Sequence, residues 1–266
     1  MKPRRLGRAR ALPLALLLPV LCAAALLGIP LVALVARAPW SQLASELTSP
    51  EVLTALRLSL YCSFSATALS TLLGVPLAWL LARAEFRGRR LLRALVLLPM
   101  ILPPVVGGVA LLLAFGRRGL VGAWLDQAFG IQLPFTLAGA VLAETFVAMP
   151  FLVIAAEAGF RQVDRRLEQA AATLGASRLR VFARITLPLA APALGAGAAL
   201  CWARALGEFG ATITFAGNLP GRTQTLPLAV YIALETHPEA AFAMSLVLLA
   251  VALAVLVALR ETWTGR

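Results

Sequence analysis

Few side chains in this sequence are equipped for chemistry, and their placement restricts what that chemistry is. Arg204 and Glu208 stand four residues apart inside an apolar run, ALCWARALGEFGAT. On a helix they share one face and can pair. An ionisable residue in such a segment marks either a packing ion pair or the wall of a polar pathway, and both readings stand. Gly207 and Gly210 beside the pair would let another helix approach closely. With Phe209 these residues form a candidate gate: Arg204, Gly207, Glu208, Phe209 and Gly210. The remaining acids within apolar runs, Glu144 and Glu157, fall on other segments. A membrane-embedded transferase would gather its acids or histidines at one face, and this chain scatters them. His237 is the single histidine, and Cys22, Cys62 and Cys201 are far apart with no Cys-x-x-Cys spacing. Catalytic zinc is therefore not expected, and the cysteines read as small buried hydrophobes. No GxxxxGK[ST] phosphate loop occurs, so ATP chemistry by that route must come from a partner.

These residues must be positioned by apolar helices. The chain is 61% hydrophobic and 14% charged, with a mean hydropathy of +0.88. A soluble domain carries about 25% charged residues, so a bilayer has to absorb the apolar surplus. Runs long enough to cross one fall near residues 12–36, 54–81, 94–115, 136–156, 191–215 and 240–259. The first follows Arg4, Arg5, Arg8 and Arg10 like a signal peptide, but it exceeds the usual apolar core of a leader and reads as a retained span.

The net charge is +12, which on composition alone points to nucleic acid. The clustering of arginines between apolar runs points instead to membrane orientation. Eighteen of the 24 Lys and Arg residues fall on one side, in the N-terminus, the loops near 83–93 and 161–184, and the tail. Four fall on the other: Arg37, Arg117, Arg118 and Arg222. The asymmetry places both termini in the cytoplasm. Arg57, at the outer end of the second run, reads as a snorkelling side chain. Pro76, Pro99, Pro103, Pro104 and Pro150 interrupt the spans, and broken helices fit a gated passage better than an inert anchor.

The longest polar stretch, Phe160 to Pro192, reads FRQVDRRLEQAAATLGASRLRVFARITLPLAAP. Asp164 is a plausible helix N-cap, the residues to Leu174 favour helix, and Gly175 is placed as the left-handed stop. Leu179, Val181, Phe182 and Ile185 are then expected to face the bundle, while Arg178, Arg180 and Arg184 face water or headgroups.

This stretch resembles the loop signature of ATP-binding-cassette importer permeases. That pattern is Glu-Ala-Ala, three residues, Gly, and then Ile-x-Leu-Pro after about nine more. Ala170, Ala171, Gly175, Ile185, Leu187 and Pro188 match it; the first position holds Gln169, preceded by Glu168. The string RALGEFGAT followed by AGNLPGRTQTLPLAVY is similar to molybdate-importer permeases, and fits sulfate-importer permeases less well over Thr223–Ala229. The resemblance implies an all-α membrane protein, a single permease domain over residues 1–266, with six transmembrane helices. A cytoplasmic coupling loop over residues 158–190 would dock on an ATPase. It further implies a prokaryotic plasma (inner) membrane location and a second identical copy. The implied partners are a dimer of cytoplasmic ATPases, which hold ATP and magnesium while this chain binds no cofactor, and an extracytoplasmic binding protein that delivers molybdate or tungstate. A regulatory domain, present in some relatives, is not expected here. The alternatives are a sulfate or thiosulfate permease of the same architecture, a membrane-embedded enzyme, and a secondary transporter driven by an ion gradient, which would leave the loop unexplained.

Overall fold

The computed structural model describes residues 14–263. The basic N-terminal residues Lys2 to Arg10, the start of the first apolar run and Arg266 lie outside that range. Among the described residues the chain is helical without strands. Helix α1 spans Leu14–Ala36, α2 Leu43–Leu47, α3 Pro50–Arg83, α4 Arg89–Ile101 and α5 Pro104–Phe115. Then come α6 (Gly122–Phe129), α7 (Leu137–Gln162), α8 (Arg165–Thr173) and α9 (Arg178–Val181). A π-turn over Phe182–Thr186 leads into α10 (Leu187–Leu206), followed by α11 (Gly210–Phe215), α12 (Leu226–Thr236) and α13 (Pro238–Trp263).

Five helical stretches are long and apolar enough to cross a bilayer, and α4 with α5 makes a sixth as a broken span bent by 120°. The break falls at Leu102–Pro103. Two successive prolines there withdraw amide donors and force the preceding residue into extended backbone. Pro76 and Pro150, by contrast, lie inside helices that continue through them.

Helix α7 is the central post, packed by α3 on one side and α10 on the other. Small residues make this approach close. Helix α3 buries Ala55, Ser59, Cys62, Ala66, Ser70, Gly74 and Ala78 at near-fourfold spacing, one face of a helix. A Cβ on Gly159 of α7 would sit 2.5 Å from the Cβ of Ala193. Above this seam, Leu111, Ala143, Val147, Ala211 and Phe215 join α5, α7 and α11 in one apolar cluster. Helix α12 is clamped to α3 by a single directed bond, Leu226 N–H donating to Ser59 Oγ at 2.6 Å.

The fifth apolar run is placed differently from the expected 191–215. The helix is continuous from Arg178 to Leu206, ends at Gly207 and restarts as α11. Pro188 has no N–H to return to Arg184, and the ladder widens into the π-turn, where Leu187 N–H bonds Phe182 O. Of the cysteines, Cys62 and Cys201 are buried as expected, whereas Cys22 is exposed on the peripheral α1.

Candidate functional site

Two groups of residues carry the functional argument, one at the loop between α7 and α10 and one where α10 breaks.

In the loop, Asp164 caps α8 by accepting from Arg166 N–H at 2.9 Å. The helix stops at a left-handed Gly175, φ +84°. Gly175 N–H bonds Ala172 O and Ala176 N–H bonds Ala171 O, each at 3.0 Å. This double closure is the Schellman arrangement. Ser177 then caps α9. The result is a short exposed helix and a tight turn standing off the bundle, with Gln169, Ala170, Leu174 and Leu179 in solvent.

Glu168 and Gln169 are sharply distinguished. Glu168 turns inward: its Oε1 accepts from Arg83 Nη2 at 2.9 Å and from Thr186 Oγ1 at 2.7 Å. Arg83 Nη2 also donates to Val163 O at 3.0 Å. One carboxylate thereby ties α8 to the end of α3 and to the π-turn. Gln169 faces outward. Ile185 and Leu187 are half-buried and Pro188 is exposed. Phe182 packs against Phe160 and Trp79, as expected for the bundle-facing side, but Leu179 is 76% exposed. Leu179 lies in the first turn of the continuous Arg178–Leu206 helix, ahead of the residues that meet the bundle, and that expectation is corrected.

At the break in α10, Arg204 Nη2 lies 2.5 Å from Glu208 Oε2, with the Glu208 side chain only 1% exposed. The approach is off the hydrogen-bonding angle, so Oε2 has an ionic contact without a directed bond. The other oxygen, Oε1, accepts Ala211 N–H at 2.9 Å and so satisfies an amide at the start of α11. Gly210 permits close approach of α5: a Cβ there would meet Pro104 Cβ at 2.7 Å. Gly207 has no neighbouring helix against it and ends α10 instead, which corrects its expected packing role. Phe209 packs on Tyr231 with ring centroids 5.2 Å apart.

The scattered acids separate into distinct environments. Glu157 is shared by Arg93 and Arg161 at the far end of α7. Glu144, on α7, is 1% exposed, and its Oε2 has no partner. Sequence reasoning named Glu144 only as one of the scattered acids and missed its full burial. It also missed Arg83 and Thr186 as partners of Glu168; a terminal arginine on a long span was the available signal. Among the described residues, no group of three or more His, Cys, Asp or Glu could hold a metal ion.

The chain is a bundle of apolar helices broken at Leu102–Pro103 and at Gly207, with a short capped helix and a tight turn standing exposed at one end. The chain belongs to the family of binding-protein-dependent transport system inner membrane components, matched over residues 74–262. It is 48% identical over 91% of its length to the molybdenum transport system permease protein ModB of Mycobacterium tuberculosis, also covering 91% of that protein. The corresponding protein of Escherichia coli is 46% identical, over 83% of this chain and 96% of the relative. The sulfate transport system permease protein CysT of Escherichia coli is 38% identical, over 87% and 84%. In fold, the chain matches a subunit of a bacterial ABC transporter that imports the acidic polysaccharide alginate. That match has a TM-score of 0.72 at 19% identity and covers 94% of both chains. The chain is thus a multi-pass inner-membrane permease and a non-catalytic subunit of an ATP-binding-cassette importer.

Proposed function

We propose that this chain forms the translocation pathway for molybdate or tungstate, delivered by an extracytoplasmic binding protein, in a complex with a second identical copy and a dimer of cytoplasmic ATPases. The observation that carries the substrate assignment is the difference between 48% identity to a molybdenum permease and 38% to a sulfate permease over comparable lengths. The exposed α8 and its Gly175 turn support the ATPase partner, because they present a rigid knob whose outer face, with Gln169, Ala170 and Leu174, is exposed. In this reading Gln169, Ala170, Ala171 and Gly175 dock on the ATPase, while Glu168, Ile185, Leu187 and Pro188 transmit its movement to α10. The residues 1–266 act as one permease domain. ATP and magnesium reside on the partner, this chain binds no cofactor, and both termini face the cytoplasm.

The pathway needs no tight anion site, since the binding protein supplies selectivity and the permease supplies a gated route. Arg204, Gly207, Glu208, Phe209 and Gly210 are its candidate gate: a break in a helix, stabilised by an ion pair, is a joint that can take two positions. Reconstituted complex should hydrolyse ATP faster with molybdate-loaded binding protein than with sulfate-loaded protein. Equal or greater stimulation by sulfate would transfer the assignment to a sulfate permease.

A further inference from the structure

The turn between α3 and α4, the first turn of α4 and the α7–α8 corner enclose an open cavity of about 710 Å³. Arg89, Arg90, Arg93, Arg161 and Arg165 line it, with Glu85 as the acid on its wall. Arg93 and Arg161 both lean on the one carboxylate of Glu157, so two guanidinium charges are answered by one. Arg89 is fixed by its Nε and Nη2 on Leu81 O, a neutral acceptor. Arg90 and Arg165 form no ion pair among the described residues. The cavity also opens on the N-terminus of the 13-residue α4, whose free amides add positive potential. Five arginines against two carboxylates in a concave site is a large unbalanced charge, and planar guanidinium forks suit phosphate oxygens.

The adjoining surface identifies the source of the phosphate. A second cavity of about 290 Å³ shares Arg93 and Arg161 with the first and adds Ile154, 42% exposed, and Ala158, one turn further along α7. A polar anion pocket continuous with an apolar flank is the shape of a lipid: headgroup in the arginine cavity, acyl chains along α7 past Ala158 and Ile154. Basic pockets between membrane helices at the cytoplasmic surface recognise anionic headgroups on this physical basis. We propose that this crevice binds the phosphate-bearing headgroup of an anionic phospholipid. Because Arg165 opens α8, the bound lipid braces the docking helix against the bilayer surface. The proposal requires the membrane location of the chain and is independent of its substrate.

The test uses the intact complex with its ATPase in nanodiscs of mixed phosphatidylglycerol and phosphatidylcholine, released into native mass spectrometry. Wild type should retain phosphatidylglycerol selectively. The double variant Arg90→Gln, Arg165→Gln should weaken retention about 30-fold, since each basic residue near an anionic surface contributes about fivefold. Arg90→Lys, Arg165→Lys should retain the lipid. Equal retention of phosphatidylcholine by wild type, no bound lipid in the ATPase-containing complex, or unchanged retention in the glutamine variant overturns the proposal. So does displacement of the lipid by millimolar inorganic phosphate or molybdate, which would assign the arginines to a free oxyanion. The wild-type measurement alone is decisive if the variants fail to assemble.

Discussion

Glu168 Oε1 accepts a hydrogen bond from Arg83 Nη2 at 2.9 Å, joining residues 85 positions apart in sequence. The side chains are 20% and 11% exposed, so this charged hydrogen bond works partly out of water, where such bonds contribute about 1.5–3 kcal/mol. Replacing Glu168 by Ala leaves Arg83 and Thr186 without their acceptor and frees α8 from the bundle. Substrate-stimulated ATP hydrolysis should fall about tenfold or more and the melting temperature should drop. Gln169→Ala removes an outward group, so it should weaken ATPase association at unchanged melting temperature. Equal effects of the two on melting would remove the distinction between the anchor and the docking surface.

At Gly175 the backbone is left-handed, and a Cβ there would meet nothing within 4 Å. The cost of substitution is therefore conformational rather than steric against neighbours, about 1–2 kcal/mol for an ordinary L residue and more for a β-branched one. Gly175→Val should insert in the membrane normally but abolish stimulated hydrolysis. Gly175→Asn, which tolerates this conformation, should preserve most of it. Full activity of the valine variant in reconstituted vesicles would show that the turn is not used in coupling.

The Arg204–Glu208 pair has a second duty, because Glu208 Oε1 also accepts the Ala211 amide. Glu208→Ala should be the most damaging single change here, leaving Arg204 uncompensated at a cost of about 3–5 kcal/mol if the site is water-free. Arg204→Leu with Glu208→Gln keeps an acceptor for the Ala211 amide without charge and should recover folding better than Arg204→Leu with Glu208→Leu, which removes it. Thermal melts rank the folding effects. Transport assays on the rescued variant then separate a packing pair from a pathway one: recovered transport makes the pair structural, and folded but inactive protein makes it part of the route.

Gly108 lies where α5 crosses α11, and a Cβ there would stand 2.5 Å from the Cβ of Thr214. Gly108→Ala should destabilise by about 1–3 kcal/mol through overpacking. Gly195, inside α10 with nothing within 4 Å of an added Cβ, should accept alanine with no loss. A melting comparison of the two variants checks the close packing of the gate helices.

Orientation is testable with an impermeant maleimide on intact spheroplasts, in a background with Cys22, Cys62 and Cys201 replaced by alanine. Single cysteines at Gln42 and Gln127 should label from outside, and those at Arg87 and Thr173 should not. All four positions are exposed, so burial cannot mimic protection by the membrane. The reverse pattern would place α8 outside the cell and end its assignment to an ATPase.

Hydropathy and proline placement made the number of spans legible, and Asp164 and Gly175 made both ends of α8 legible, because caps act through local backbone chemistry. What escaped was set by contacts distant in sequence. The fourfold run of small residues on α3 is visible in hindsight as Ala55, Ser59, Ala66, Ser70 and Gly74, yet nothing local says that α7 will fill it. The inward turn of Glu168 rather than Gln169 depends on Arg83 arriving from the end of another helix. The break at Gly207 was hidden because the apolar run continues unbroken through it; hydropathy records what lipid tolerates and is blind to where the hydrogen-bond ladder stops.

That stop has a mechanical meaning. From Arg178 the helix runs unbroken through the π-turn to Leu206, a shaft of 29 residues and roughly 40 Å at 1.5 Å per residue. A push on its loop end cannot be absorbed by a flexible linker along the way, because none interrupts the ladder. It is relayed across the thickness of a bilayer to the first joint, which is Gly207, one residue before the carboxylate that holds α11 in place.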